Sequence, residues 1–354
     1  MAGSAQAWHD GSRSGCRITS FSTALALLLA CVPSAGLGAT LFEDDTVLTV
    51  RLSGPLDSLL EDPESRDELP FVLSANGVDH DIMVRLRGRS RRELCQFPPL
   101  RFKFAEEDTA NTVFAGQRKL KLVTHCRPGD SYKTSALREY AAYRIFNLLS
   151  EVSYRVRLLR ITYEDTDGRL KETTFERYGF LIEPATSLAA RTDGRIAEVC
   201  GISIASLDNL QAASAFIFNF LIGNTDWSLV PSENESCCCH NIDLIDVGAR
   251  RYTVPFDFDL SGLVNARYAR PNPVTRISRV TQRRYRGYCL PPGSLAPALR
   301  QIKERKTEVL NVVRYLPGLS PKERRTSLEF LERFFDRAED EDKLLRSFER
   351  RCLR

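Results

Sequence analysis

An α+β fold is predicted, with a mostly antiparallel sheet in the N-terminal half of the chain and a mainly helical C-terminal half. Three observations carry it. Short runs of alternating apolar and polar residues recur before residue 185, as half-buried strands require. A helical period interrupts them once, over residues 131–150. Beyond residue 290 the pattern is amphipathic, charge-rich and without strand signal.

The first strand is Thr46-Val-Leu-Thr-Val-Arg-Leu. An acidic loop with a proline (Glu61-Asp-Pro-Glu-Ser-Arg-Asp-Glu) and then Phe71-Val-Leu come after it. Asp81-Ile-Met-Val-Arg-Leu-Arg-Gly-Arg-Ser alternates into a basic turn at Gly88. Leu100-Arg-Phe-Lys-Phe and Arg118-Lys-Leu-Lys-Leu-Val alternate in the same way. In the helix, Leu137, Tyr140, Ala141, Ile145 and Leu148 recur at three- and four-residue steps, with Ser135 as a cap. Strands over 155–163 and 178–183 flank the turn Thr166-Asp-Gly-Arg. A crossing segment near 184–190 leads to a buried helix over 207–221, and then to two short strands, over 242–245 and 252–255. Helices over 295–315 and 320–350 close the chain.

With 354 residues, 43% hydrophobic and 27% charged, the chain is long enough for a real core. A net charge of +4 is small for this length, so no nucleic-acid partner is expected. The basic clusters over 85–92 and at Thr281-Gln-Arg-Arg-Tyr-Arg read as solvated faces. Common hydrolase and Walker-type motifs are absent, and only four histidines occur.

Residues 1–39 read as an export signal: Arg13 and Arg17, an apolar stretch from Thr19 to Val32, then small residues. That stretch is short for a membrane span, so cleavage is expected and no transmembrane segment remains. Leu28-Leu-Ala-Cys31 is close to a lipobox, which makes Cys31 a candidate lipidation site, ranked below simple secretion to the periplasm or exterior. Residues 40–184 then form a β-rich region and 185–354 a helical one. Eight cysteines lie beyond the leader, an even number that suggests disulfides in an exported protein. Zinc at Cys237-Cys238-Cys239-His240 is disfavoured, because adjacent ligands are poorly spaced for a tetrahedral site.

The chemistry concentrates over residues 215–262. An apolar run ends in Gly223-Asn-Thr-Asp-Trp, His240-Asn241 precede one short strand, and the next runs into Phe256-Asp-Phe-Asp259. Phosphoryl transfer needs a carboxylate to orient the attacking hydroxyl, plus an amide and a second carboxylate for the metal. Asp226, Asn241 and Asp257 or Asp259 suit those roles. Taken singly, Asn224-Thr225-Asp226 reads as an Asx turn at a helix end and Phe-Asp-Phe-Asp as a half-exposed strand.

The ordered set resembles the spore-coat protein H (CotH) family of atypical kinases. The matching pieces are Arg87-Gly-Arg-Ser-Arg, Leu100-Arg-Phe-Lys-Phe, Gly116-Gln-Arg-Lys-Leu-Lys-Leu, Ala136-Leu-Arg-Glu-Tyr-Ala-Ala-Tyr-Arg-Ile-Phe, Tyr178-Gly-Phe-Leu-Ile-Glu, Gly223-Asn-Thr-Asp-Trp, His240-Asn241 and Val254-Pro-Phe-Asp-Phe-Asp. The resemblance implies a two-lobed protein-kinase-like fold with a nucleotide between the lobes. It further implies an exported transferase using ATP with Mg²⁺ or Mn²⁺ on a protein Ser/Thr or small-molecule hydroxyl. The alternative is a catalytically inactive envelope protein that binds a partner. Asp226 would be the catalytic aspartate, and Asn241 with Asp257 or Asp259 the metal ligands. Glu139 would pair with a nucleotide-binding lysine: Lys121 first, with Lys103 and Lys119 as alternatives. Glu183 would lie near the adenine. Arg138 reads as a helix-surface salt bridge or a phosphate contact. One departure stands out: Asp226 and Asn241 are fifteen residues apart, whereas the protein-kinase loop separates the pair by about five.

Overall fold

The computed structural model describes residues 41–354, apart from 89, 106–108 and 231–236. The expected leader, Cys31 and Arg89 of the basic turn lie outside the described residues.

Strand β1 (Leu48–Gly54) leads through α1 (Leu56–Glu61) to β2 (Leu69–Ala75) and β3 (Val78–Leu86). Then come α2 (Ser90–Leu94), β4 (Leu100–Phe104), β5 (Lys119–Val123), α3 (Asp130–Leu149), β6 (Val156–Asp165) and β7 (Thr174–Ile182). The seven strands close in the order β1-β2-β3-β4-β5-β7-β6, with β6 parallel to β1 from Leu48–Leu159 to Gly54–Asp165. Inward side chains fill the barrel, among them Leu52, Val84, Leu100, Leu120, Ile161 and Tyr163.

The expected two-lobed protein-kinase-like fold is corrected here. The N-terminal strands, antiparallel in every pairing but β1 with β6, close into a barrel instead of forming an open kinase-like lobe, and a separate sheet accompanies the later helices. The cause lies in β1 and β6. Leu48, Val50 and Leu52 face the interior, and the ten-residue β6 satisfies the second edge of β1. Closure removes the exposed edges of an open sheet.

Beyond the barrel come α4 (Ala185–Arg191), β8 (Gly194–Ile196), α5 (Asn209–Ile222), β9 (Ile242–Val247) and β10 (Arg250–Pro255). The last three strands form an antiparallel sheet, β10-β9-β8. The chain ends with α6 (Leu295–Glu304), α7 (Lys306–Arg314), α8 (Pro321–Ala338) and α9 (Glu341–Glu349). The helix expected over 295–315 is thus broken at Arg305. The one over 320–350 is broken near Asp340, whose carboxylate accepts from Lys343 N–H and starts α9. A capping box between Ser320 and Glu323 starts α8. Helix α3 packs on β6 and β7 and also on α5 and α7. One apolar core therefore runs from Phe146 and Phe180 through Phe218 to Phe334 and Phe348.

All eight cysteines from Cys95 onward are bridged: Cys95–Cys126, Cys200–Cys237, Cys238–Cys239 and Cys289–Cys352. Among the described residues, no helix is long and apolar enough to cross a membrane.

Candidate active site

Helix α5 sets the position of Asp226. Its residues from Gln211 to Ile222 are all buried, so the helix end cannot shift without disturbing the core. Gly223 ends it in the left-handed region (φ +68°), where a Cβ would also meet the Phe330 ring at 3.1 Å. Asn224 then accepts from Asp226 N–H at 3.0 Å, the Asx turn read from the sequence. That turn and the buried Trp227, stacked on Phe216, hold Asp226 at the surface of the core.

The long spacing to Asn241 is closed by backbone. Ser228 and His240 exchange two N–H···O bonds of 3.0 Å, so the intervening chain leaves and returns at one neck. Asn241 Nδ2 donates to Asp226 O at 2.8 Å and to Asp226 Oδ2 at 3.0 Å. His240 Nε2 lies 3.4 Å from the other carboxylate oxygen. The disulfides at Cys237, Cys238 and Cys239 lie on this excursion, and residues 231–236 are outside the described set.

Asn241 leads to Asp257. The carbonyl of Asn241 accepts from Phe256 N–H at 3.1 Å, and Asp257 N–H donates to Tyr143 of α3 at 2.9 Å. Both Asn241 (φ 53°) and Asp257 (φ 57°) occupy the left-handed region, where Asn and Asp are the tolerated non-glycine residues.

The two aspartates after β10 have separate surroundings. The Asp257 side chain is 45% exposed and that of Asp259 only 9%. Arg91 of α2 joins them: its Nε is 2.9 Å from Asp259, and one terminal nitrogen lies 2.5 Å from Asp257 and 3.0 Å from Glu139. Tyr268 also donates to Asp259, at 3.0 Å. Burial raises the pKa of both Glu139 and Asp259 despite Arg91, the largest opposing influence. Arg91 itself is held charged: burial disfavours the cation, and the three carboxylates together outweigh that.

The expected partnership of Glu139 with Lys121 is not formed; Arg91 takes that carboxylate. Lys121 lies on β5 with its ammonium 6.0 Å from the Phe256 ring centroid. Its side chain is solvent-exposed, yet its charged end is crowded, and burial followed by repulsion from Arg87 lowers its pKa. Arg87 faces the same cluster, with burial as the main influence on it and Asp257 as the first charge it meets. Among the described residues neither cation has a carboxylate within ion-pair distance. Asp243 also belongs here; it accepts from Tyr154, and burial raises its pKa.

Two sequence candidates lie elsewhere. Lys103 pairs with Glu68 at 2.9 Å on the outside of the barrel. It lines a groove of about 670 Å³ that shares no residue with the Asp226 cluster. Glu183 accepts from Arg191 at 2.9 Å through both oxygens and from Arg155 N–H, tying β6, β7 and α4 together. Arg138 donates to the carbonyls of Val264 and Glu323 and makes no ion pair among the described residues. Sequence reasoning read the basic cluster over 85–92 as a solvated face; Arg91 and Arg92 are instead buried, and Arg87 and Arg91, the first and last residues of Arg87-Gly-Arg-Ser-Arg, face the cluster.

No family model matches the chain. Curated proteins yield no match either. Among solved structures, the chain is similar to the Helicobacter pylori proinflammatory kinase CtkA, at 13% identity over 78% of this chain and 88% of that one. The TM-score is 0.34. So distant a likeness carries no argument about this chain, and the spore-coat family remains a resemblance of motifs.

Proposed function

We propose that the protein is an exported phosphotransferase that moves the terminal phosphoryl group of ATP to a protein or small-molecule hydroxyl. The observation that carries this reading is the convergence of Asp226, Asn241 and Asp257 across thirty-one residues of chain, beside two cations that lack carboxylate partners among the described residues. Lys121 and Arg87 provide charge for phosphate oxygens, and Asp257 faces both.

Asp226 is the proton acceptor in this scheme. Its Oδ2 is fixed by Asn241, leaving Oδ1 to face the hydroxyl, with His240 alongside. The acceptor O–H gives its proton to Asp226, and its oxygen bonds to the γ-phosphorus. The bond from that phosphorus to the β–γ bridging oxygen breaks, releasing a nucleoside diphosphate.

The residues also fit a hard divalent cation. Mg²⁺ takes one or two carboxylates and completes its shell with water and substrate phosphate. Asn241 and the exposed carboxylate of Asp257 would hold it, and it would supply charge neutralisation on the phosphates. Asp259 and Glu139 do not fit that role, because both are buried against Arg91, whereas the Asp257 carboxylate, which Arg91 also touches, keeps its exposed side. The enclosed space beside Arg91 and Glu139 is about 10 Å³, scarcely one water. Among the described residues, no three His, Cys, Asp or Glu side chains gather as a stand-alone metal site.

The same contact of Arg91 with Asp257 favours a second reading, a protein that binds a nucleotide or partner without catalysis. Transfer of labelled γ-phosphate by the oxidised protein, beside Asp226→Asn, separates the two. The proposal expects transfer that is lost in the variant while its unfolding midpoint is kept. Equal labelling by both proteins would overturn the role of Asp226. The complete set of disulfides supports an oxidising compartment.

A further inference from the structure

From residue 260 to 303 the chain contains no aspartate or glutamate, yet seven arginines fall between 267 and 286. This stretch begins directly after Asp259. Val264, Ala266, Ala269 and Val280 close on a small apolar cluster of their own, so 264–280 forms a compact loop. Arg267, Arg270, Arg276 and Arg279 are exposed around it, and Arg284 comes next on the same surface segment.

These arginines differ from several exposed ones elsewhere on the molecule. Arg144, Arg169 and Arg250 are each paired with a carboxylate. None of the exposed arginines from 267 to 284 is in an ion pair among the described residues. Among the described residues, Arg270 bonds only to the carbonyls of Arg267 and Ala269. Arg283 is structural: it bonds the carbonyls of Leu221 and Phe330 and lies 3.9 Å over the Phe330 ring.

Arg286 links this segment to the candidate active site. It is half-buried, its Nε has no hydrogen-bond partner among the described residues, and the groups that face it are Tyr288 and Asp226. A buried guanidinium N–H without an acceptor is costly, and an anion supplied by a ligand satisfies it.

We infer that the hydroxyl acceptor is an acidic protein segment, whose carboxylates dock on Arg267, Arg270, Arg276, Arg279 and Arg284 while one reaches Arg286 beside Asp226. This rests on the phosphotransferase reading for its chemical consequence; the docking itself does not. Two other polyanions fit less well. Single-stranded nucleic acid needs exposed aromatic faces for its bases, whereas Tyr268, Tyr285 and Tyr288 are engaged with Asp259, Phe348 and Leu229. A lipid surface needs apolar side chains to insert, and Val274 is the one large apolar residue exposed on this segment. Planar guanidinium forks matched to carboxylates suit an extended acidic peptide.

The test uses the full oxidised protein and a fluorescein-labelled peptide of alternating glutamate and serine, read by anisotropy without nucleotide. Its glutamine-for-glutamate analogue, a single-stranded RNA and phosphatidylserine vesicles serve as competitors. Binding should weaken with salt and fall roughly tenfold in the Arg276→Gln/Arg279→Gln double variant. Arg286→Gln should weaken it further, and Asp226→Asn should bind normally while losing phosphate transfer. Equal binding of the neutral analogue, indifference to the arginine substitutions, or tighter binding of RNA or vesicles would overturn the inference. Acidic-peptide binding without transfer to its serines would sustain the docking surface and defeat the phosphotransferase reading instead.

Discussion

Arg91→Met removes the cation that three carboxylates share while keeping the length of the side chain. Asp259 and Glu139 are buried, and Arg91 touches both together with Asp257. Breaking a buried ion pair by deleting one partner costs about 3–5 kcal/mol, and here two buried carboxylates are stranded at once. The loss should also depend on pH in a fixed direction. Burial already raises the pKa of Glu139 and Asp259 with Arg91 present; without it they rise further. The folded variant then holds protons that the unfolded chain releases, so its stability falls as pH climbs above the ordinary carboxylate range of about 4. The deficit against the parent should therefore be largest in mildly alkaline buffer and shrink on acidification. Urea unfolding monitored by the fluorescence of Trp227, buried against Phe216, reads this directly. A deficit below about 1 kcal/mol, or one that does not change with pH, would refute the shared ion pair.

Three more outcomes are expected from the same contacts. Burial, with help from Arg177, pushes the His125 imidazole down to about 3, so only the unfolded chain takes its proton near pH 5. Stability should fall by about 2 kcal/mol between neutral pH and pH 5, and a His125→Gln variant with an identical acid slope would contradict this. Gly223→Ala should cost about 1–2 kcal/mol, since alanine meets both the left-handed conformation and the Phe330 ring; an unchanged urea midpoint would count against the rigid α5 end. Lys121→Ala should weaken ATP binding, measured by calorimetry, by at least about tenfold, the effect of losing one charge-assisted contact. Lys103→Ala should leave it unchanged, and the reverse result would move the phosphate subsite to the outer barrel groove.

Local pattern made much of the chain legible. The alternation in Leu100-Arg-Phe-Lys-Phe and the helical period through Leu137, Ala141 and Ile145 reappear as β4 and α3. The Asx turn at Asn224 was readable because it is made by neighbours. Barrel closure was not, because the pairing of β1 with β6 joins residues more than a hundred positions apart, and period-two alternation does not name a partner. The same holds for Arg91. It sits on a five-residue helix too short to show a period, and its partners lie 48, 166 and 168 residues away. The family resemblance pairs Glu139 with a lysine, and a cation does meet it, but an arginine from α2 rather than a lysine from β5. The separation of Asp226 from Asn241 looks prohibitive in one dimension, and the Ser228–His240 backbone pair removes it in three.

The most direct test of the candidate site is a thermal-shift titration of the oxidised protein with ATP, with and without Mg²⁺ or Mn²⁺, beside Asp257→Ala. A ligand that binds only the folded state raises the melting temperature by mass action. A metal-dependent rise in the parent that disappears in Asp257→Ala is the predicted result. A folded parent protein whose melting temperature ATP leaves unchanged under either metal would contradict the nucleotide site formed by Asp226, Asn241 and Asp257.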